Sequence, residues 1–379
     1  MKICVLGAAM TDFGENWKLG LREMAVAAIL EAVAVSKLEL EELDAIVVSN
    51  MSGSSLAGQD HLGSLIAAEL GVNIPAFRIE GACASGSLAI HTAANMLLAG
   101  NYKNILVVGA EKMTDASADN VTKALSRAAD EEWESFYGVT FPSLYAMIAR
   151  EYMRSFKVKR SDLALVSVKN HSNAVLNPHA HFKKEITVAD VLAAAMVADP
   201  LGLLDCSPIT DGAAALILSS QQKGKAELVA SSVATDTIAL HDRKELTTLN
   251  AAVLAARKAY QQAGITVKQI NIAEVHDCFS IAELIAYEDL GFAGKGKAAA
   301  MLKSGEFNRD GRLPVNTSGG LKACGHPVGA TGIKQAAEIY WQLCGRAGKR
   351  QLKSGLQYGL THNVGGSGGT AVINIFKNV

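Results

Sequence analysis

Short apolar runs alternate with longer Ala- and Leu-rich stretches along the first hundred or so residues. "KICVLGA" (2–8), "AIVVSN" (45–50), "PAFRI" (75–79) and "NILVVGA" (104–110) have the length and composition of buried strands. Helices are predicted over about 18–36, near 60–70 and over 88–99, the last apolar almost all round, as in a helix buried inside a large protein. Such alternation predicts α/β layers. "DGAAALILSS" (211–220) closes this series and "AELVASSVA" (226–234) opens another. "GSGGTAVINIF" (366–376) closes the second with the same plan, a polar or glycine turn followed by an apolar final strand. The echo predicts two similar halves, 1–224 and 225–379, whose turns meet at a shared centre.

The pattern breaks between 112 and 210. Residues 111–135 carry seven acids against three bases, and 150–190 carry eight Lys/Arg against four acids, with His171, His179 and His181 added. A solvated face accounts for either run, and these histidines read as surface residues. A basic segment inserted into a balanced chain also suits an anionic substrate such as a phosphorylated nucleotide. The whole chain has a net charge of −1, which gives no support for nucleic-acid binding. No apolar run approaches the ~20 residues of a membrane span, and "MKICVLGAAMTDFG" reads as a first core strand rather than a signal peptide. The six cysteines, at 4, 83, 206, 278, 324 and 344, show no paired spacing for zinc or a disulfide framework. They are expected to be reduced thiols of a cytoplasmic protein.

"EGACASGSLAIHTAANMLLAG" (80–100) sets Cys83 between a strand and a helix. One reading is a small buried hydrophobe. The other is a nucleophile, because unpaired N–H groups and the dipole at a helix N-terminus stabilise a thiolate. Three distant stretches bear on the choice. "EVHDCFSIAELIAYEDLG" (274–291) reads as a strand ending in His276, Asp277 and Cys278, then an amphipathic helix. "SGGLKACGHPVGATGIKQAAEIY" (318–340) is a glycine-rich turn with His326, then a helix opening near Ala330. "GLTHNVGGSGGTAVINIF" (359–376) is a strand, a turn holding His362 and Asn363, and a closing strand. Three imidazoles and a second thiol at strand ends or turns match a Cys/His acyl-transfer site. His91 is expected to be a satisfied structural histidine. Cys4, Cys206, Cys324 and Cys344 are expected in the core or as neighbours, with Cys324 nearest His326.

Over essentially its whole length the chain resembles the thiolase superfamily, in the order "GACASGSLA", "GHPVGATG", "HNVGGSGG". "HDCF" (276–279) stands where ordinary thiolases carry Asn-Glu-Ala-Phe, and is similar to the sterol-carrier-protein type and to archaeal and bacterial acetoacetyl-CoA thiolases. His362-Asn363-Val364 replaces the Cys-x-Gly that supplies the second cysteine of ordinary thiolases. The resemblance implies a five-layered α-β-α-β-α fold of two duplicated halves, with an inserted loop domain over 112–210 covering the acyl-CoA. "YGVTFPSLYAM" (137–147) and "NHSNAVLNPHAHF" (170–182) look like its covering segments.

By the same resemblance, His326 takes the proton of Cys83, whose thiolate attacks an acyl-CoA. Cys278 is the second acid/base, with His362 as runner-up. His276 and His326 polarise the thioester oxygen of the nucleophilic acetyl-CoA. The Cys83 N–H, with one from the turn around Val364 and Gly365, holds the tetrahedral intermediate. Coenzyme A enters as substrate and product, with no cofactor or metal. A homodimer or homotetramer is expected, with a small zinc-ribbon/OB-fold protein as a further partner. Three other functions compete: a decarboxylating β-ketoacyl synthase, a retro-aldolase on acyl-CoA esters, and a partner-dependent acyl-CoA-binding scaffold.

Overall fold

The computed structural model describes residues 2–353 and 355–379. The first half opens with strand β1 (Ile3–Met10), helix α1 (Leu21–Ser36), β2 (Ala45–Ser49), α2 (Leu62–Glu69), β3 (Ala76–Ile79), α3 (Ser85–Leu98) and β4 (Asn104–Glu111). The chain then leaves the sheet, forming α4 (Ala118–Ser126), α5 (Phe141–Phe156), α6 (Arg160–Ala174), α7 (Val188–Ala193) and a ribbon of β5 (Met196–Ala198) and β6 (Leu201–Gly202), before returning as β7 (Gly212–Ser219). The second half runs through β8 (Ala226–Thr235), α8 (Asn250–Ala263), β9 (Ile272–Glu274), α9 (Ser280–Asp289), α10 (Ala298–Lys303), α11 (Gly320–Cys324), α12 (Val328–Leu343), β10 (Tyr358–Gly365) and β11 (Thr370–Asn378).

The main strands lie in the order β3-β2-β4-β7-β1-β8-β11-β10-β9. The halves join edge to edge where β1 pairs antiparallel with β8, Cys4 opposite Glu227. Outward from that join the two sides repeat one another. On the first side β1–β7 and β7–β4 are antiparallel, then β4–β2 and β2–β3 parallel. On the second, β8–β11 and β11–β10 are antiparallel, β10–β9 parallel, and a parallel bridge from Ala273 to Val315 stands where a fifth strand would be. The duplication read from two closing strands therefore extends to the direction of each neighbour.

Burial on both faces of the sheets sets the layers. In β2, Val47 points with β4 Val107 into the core that holds α3 and α12, whereas Ile46 and Val48 face the outer core under α1. Helices α3 and α12 touch each other and strands of both halves, so they form a central layer; α1 covers the first sheet outside and α8 the second. This is the five-layered α-β-α-β-α arrangement. The central helices approach very closely: a Cβ on Gly86 would lie 2.8 Å from the Gly332 nitrogen, and one on Gly332 would lie 2.3 Å from the Ser87 nitrogen.

The excursion between β4 and β7 leaves the first half but packs on the second. Leu144, Ile148, Leu163 and Val166 share a core with Ile281, Leu284 and Ile285 of α9. This enclosure explains a departure from the pattern: α9 is not amphipathic in place, because all ten of its residues are buried. Two of its acids are satisfied internally, Glu283 by Lys169 at 3.0 Å and Asp289 by the Leu249 N–H at 2.7 Å. Lys169 is thereby removed from the basic face, while Lys183 and Lys184 stay exposed. His171 is also buried rather than superficial, its Nδ1 3.1 Å from the Lys184 carbonyl. His91 is satisfied by Ser231 and Asn95. A second departure concerns His362 and Asn363. They lie within β10, opposite Ile373 and Val372, and the turn follows at 366–369 with Gly366 and Gly368 at positive φ.

Candidate active site

Strand β3 runs into a turn that folds back on itself before α3. The Ser85 hydroxyl accepts the Gly81 N–H at 2.9 Å and donates to the Ala82 carbonyl at 2.6 Å, and Glu80 accepts the Ala82 N–H at 2.5 Å. These bonds hold Ala82 at φ 51°, a left-handed conformation that costs a non-glycine residue ~1–3 kcal/mol. Cys83 follows, half-buried, in a single 3₁₀ turn. Burial pushes its thiol up to about 12, and the charges of Glu111 and Glu80 add to this; N–H groups of Gly366 and of Cys83 itself favour the thiolate but are outweighed. The helix-end argument alone predicts the opposite sign. The facing amide is that of Gly366, one residue beyond the expected Val364 and Gly365. Gly365 instead packs against the nucleophile turn, where a Cβ would meet the Gly81 oxygen at 2.6 Å.

Two imidazoles face this thiol. One ring nitrogen of His276, one of His326 and the Cys83 sulfur all lie within 4.8 Å of one another, and the rings meet edge to face at 5.1 Å. Their tautomers follow from their partners. Thr331 Oγ1 donates to the Pro327 carbonyl at 2.9 Å, so it accepts from His326 Nδ1–H at 2.7 Å, leaving Nε2 as the basic nitrogen. Asn363 Nδ2 donates to His276 Nδ1 at 3.1 Å, so the proton of that ring is on Nε2. Both rings are neutral: burial, with the charge of Lys334, pushes His326 down to about 3, and burial with the neighbouring imidazoles takes His276 well below its usual range. A thiol and two imidazoles are also a metal donor set. In the tautomer that Asn363 favours, the other nitrogen of His276 carries a proton that an ion would have to displace.

Cys278 shares a cavity of about 190 Å³ with Cys83, His326 and Gly366, walled by Val121, Leu125, Phe141, Tyr145 and Phe279. Burial and the nearby Cys83 push its thiol well up, and the Tyr145 hydroxyl works against that shift. Tyr145 comes from the covering excursion; it stacks on Phe279 at 4.6 Å and donates to the Gly366 carbonyl at 3.1 Å. His362 is not on the cavity wall. Its Nδ1 accepts the His276 amide at 3.4 Å, and burial holds it at about 3.

Behind the cavity, Asp277 accepts the Leu321 N–H at 2.6 Å and an Asn170 N–H at 2.6 Å, tying the 276–279 segment to α11 and to the covering α6. Cys206 also lines the cavity, whereas Cys324 lies in the core with Asn177 donating to its sulfur at 3.4 Å. Sequence reasoning did not single out Tyr145, Thr331, Asn363 or Cys206 for the site. Thr331 lay inside "GHPVGATG", Asn363 inside "HNVGGSGG" and Tyr145 inside the covering segment 137–147; only Cys206 lay outside every stretch that pointed there.

Fold and site define a duplicated α/β protein with a thiol–imidazole centre where its halves meet. A thiolase N-terminal domain model matches residues 3–222 and a thiolase C-terminal domain-like model matches 232–378. An acetyl-CoA acetyltransferase of Methanothermobacter thermautotrophicus is 48% identical over 382 residues, covering 99% of each chain. Human sterol carrier protein 2 is 32% identical over 398 residues, covering 99% of this chain and 72% of the human protein. Among solved structures, an Ltp2-ChsH2(DUF35) aldolase superposes with a TM-score of 0.85 at 24% identity, over 100% of this chain and 98% of that one. An acetyl-CoA acetyltransferase from Syntrophomonas wolfei gives 0.74 at 18% identity, over 100% and 99%. The chain belongs to the thiolase family. Among the described residues, no helix is long and apolar enough to cross a membrane.

Proposed function

We propose that the protein is an acetyl-CoA acyltransferase that makes or cleaves 3-ketoacyl-CoA, such as acetoacetyl-CoA, through an acyl group carried on Cys83. The observation that carries this reading is the convergence of Cys83, His276 and His326 within 4.8 Å, with Cys83, His326 and Cys278 lining one cavity. His326 Nε2 takes the Cys83 proton as the sulfur attacks the thioester carbonyl. The N–H groups of Cys83 and Gly366 receive the developing oxyanion, and such a donor is typically worth ~10²–10³ in rate. The carbon–sulfur bond to coenzyme A breaks, and the departing thiolate takes the proton of Cys278, which is left as a thiolate. Cys278 then removes a methyl proton from a second acetyl-CoA, whose enolate oxygen accepts from His276 Nε2–H. The carbanion attacks the acyl group, the carbon–sulfur bond to Cys83 breaks, and the Cys83 thiolate recovers its proton from His326. Thiolysis reverses each step.

Six free thiols and a cysteine nucleophile suit a reducing cytoplasm. A homodimer and a DUF35-type helper are part of the reading; the name of the aldolase of similar fold carries such a component. The test is intact-protein and peptide mass spectrometry after brief exposure to acetyl-CoA, with Cys83→Ala and Cys278→Ala alongside. An acetyl group on Cys83 that persists without turnover in Cys278→Ala is the expected result. No adduct, even with longer acyl-CoAs and a DUF35 protein supplied, would move the retro-aldolase or scaffold readings forward. Turnover that requires a malonyl thioester would favour the synthase.

A further inference from the structure

Asn363 is fully buried on β10, and three bonds leave its amide no choice of orientation. Its Oδ1 accepts the Ser87 N–H at 3.3 Å. Its Nδ2 donates to the Cys83 carbonyl at 2.9 Å and to His276 Nδ1 at 3.1 Å. Ser87 N–H can only donate and the Cys83 carbonyl can only accept, so turning the amide over would oppose like groups at both backbone contacts. The one ambiguous partner, the imidazole, is therefore fixed by the two that are not. His276 Nδ1 must accept, and the proton of the neutral ring goes to Nε2. That N–H is buried and reaches no acceptor among the described residues. A buried donor without a partner is costly, and beside the Cys83 sulfur the partner this one can gain is an oxygen of a bound ligand. The preceding residue supports the same ring: His362 Nδ1 accepts the His276 amide at 3.4 Å.

The geometry points to Asn363 as a positioning residue: it holds His276 as the Nε2–H tautomer, reserves that donor for an oxygen of the bound thioester, and anchors the nucleophile turn through the same amide. The catalytic part of the inference rests on the acyltransferase reading; the tautomer part does not. Neighbouring imidazoles are thereby kept in opposite states. Thr331 makes Nε2 of His326 an acceptor, and Asn363 makes Nε2 of His276 a donor.

Long-range ¹H–¹⁵N correlation spectra of histidine-labelled, ligand-free protein, assigned with His276→Ala, test this directly. The expected pattern is a protonated Nε2 and an unprotonated Nδ1 for His276. In Asn363→Asp the carboxylate accepts instead of donating, so the proton moves to Nδ1. Carbon–carbon bond turnover then falls by about 10²–10³, as for loss of an oxyanion donor. A wild-type His276 protonated at Nδ1 overturns the inference whatever the enzyme's reaction. An unchanged tautomer in Asn363→Asp also overturns it. If that variant does not fold, the wild-type spectrum still decides the tautomer. An Asn363→Ala variant that keeps full turnover would remove the positioning role. Failure of Cys83 to acylate, with the tautomer as expected, would count against the acyltransferase reading alone.

Discussion

The resting state of Cys83 is open to direct measurement. Its thiol is raised to about 12 from an ordinary value of 9.0, while His326 is lowered to about 3. The pair therefore rests as neutral thiol and neutral imidazole, not as the ion pair familiar from other cysteine enzymes. At pH 7 a rise of three units lowers the thiolate population about 10³-fold. A more basic thiolate is intrinsically more nucleophilic; with a Brønsted slope of ~0.45, three units return a factor of about 20. The net expectation is alkylation about 50-fold slower than that of an exposed thiol. Iodoacetamide inactivation between pH 6 and 10, with the label located on Cys83 by peptide mass spectrometry, supplies the test. The rate should climb close to tenfold per pH unit without a plateau. Acylation by acetyl-CoA should climb less steeply, because His326 accepts the proton during attack, and His326→Ala should restore the steep slope. A flat alkylation rate from pH 6 to 9 would mean a preformed thiolate and would refute the argument that burial outweighs the helix end.

Two substitutions probe the supports of the site. Thr331→Val keeps the shape but leaves His326 Nδ1–H without its acceptor, so kcat should fall about 10- to 100-fold with KM for acetyl-CoA little changed, as read by steady-state kinetics. Gly332→Ala would set a Cβ 2.3 Å from both the Ser87 nitrogen and Asn363 Oδ1; overpacking of about 1–3 kcal/mol should lower the melting temperature by several degrees in a thermal scan.

Much of this arrangement was legible in the sequence, and the failures share a cause. Strand lengths and the echo of 211–220 in 366–376 gave an α/β chain of two similar halves, because apolar period and turn chemistry are local properties, whereas the five-layered stacking came from the family resemblance. The motifs around Cys83, His276, Cys278 and His326 gave the centre, because each lies at a strand end or just before a helix. What escaped depends on depth and register. A helix N-terminus is visible as letters, but burial that lifts a thiol to about 12 is not. Asn363 looked like part of a turn because glycines follow it. Only its pairing opposite Val372 and its reach to Cys83, 280 positions away in the chain, reveal its part. Tyr145 and Cys206 come from the excursion, which the resemblance marked as a cover over 137–147 but whose charge pattern did not show which side chains wall the cavity.

The duplication explains why the chemistry gathers at this place. Cys83 stands two residues before α3 and His326 two residues before α12, so equivalent helix entrances of the two halves carry the thiol and the base. Those helices meet at Gly86 and Gly332, where only hydrogen side chains permit the approach. Each half also grips the other's central helix from a strand of its own sheet. In the first half, Glu111 at the end of β4 accepts the Gly329 N–H of α12 at 3.1 Å. In the second, Asn363 on β10 accepts the Ser87 N–H of α3 at 3.3 Å. The two grips differ in what else they hold. Glu111 spends its remaining capacity on Met51, Ser52 and Asn50, all backbone or polar supports of its own half. Asn363 spends its own on the Cys83 carbonyl and the His276 ring. One copy of the cross-link is thus structural, while the other joins the nucleophile's turn to the ring that faces it.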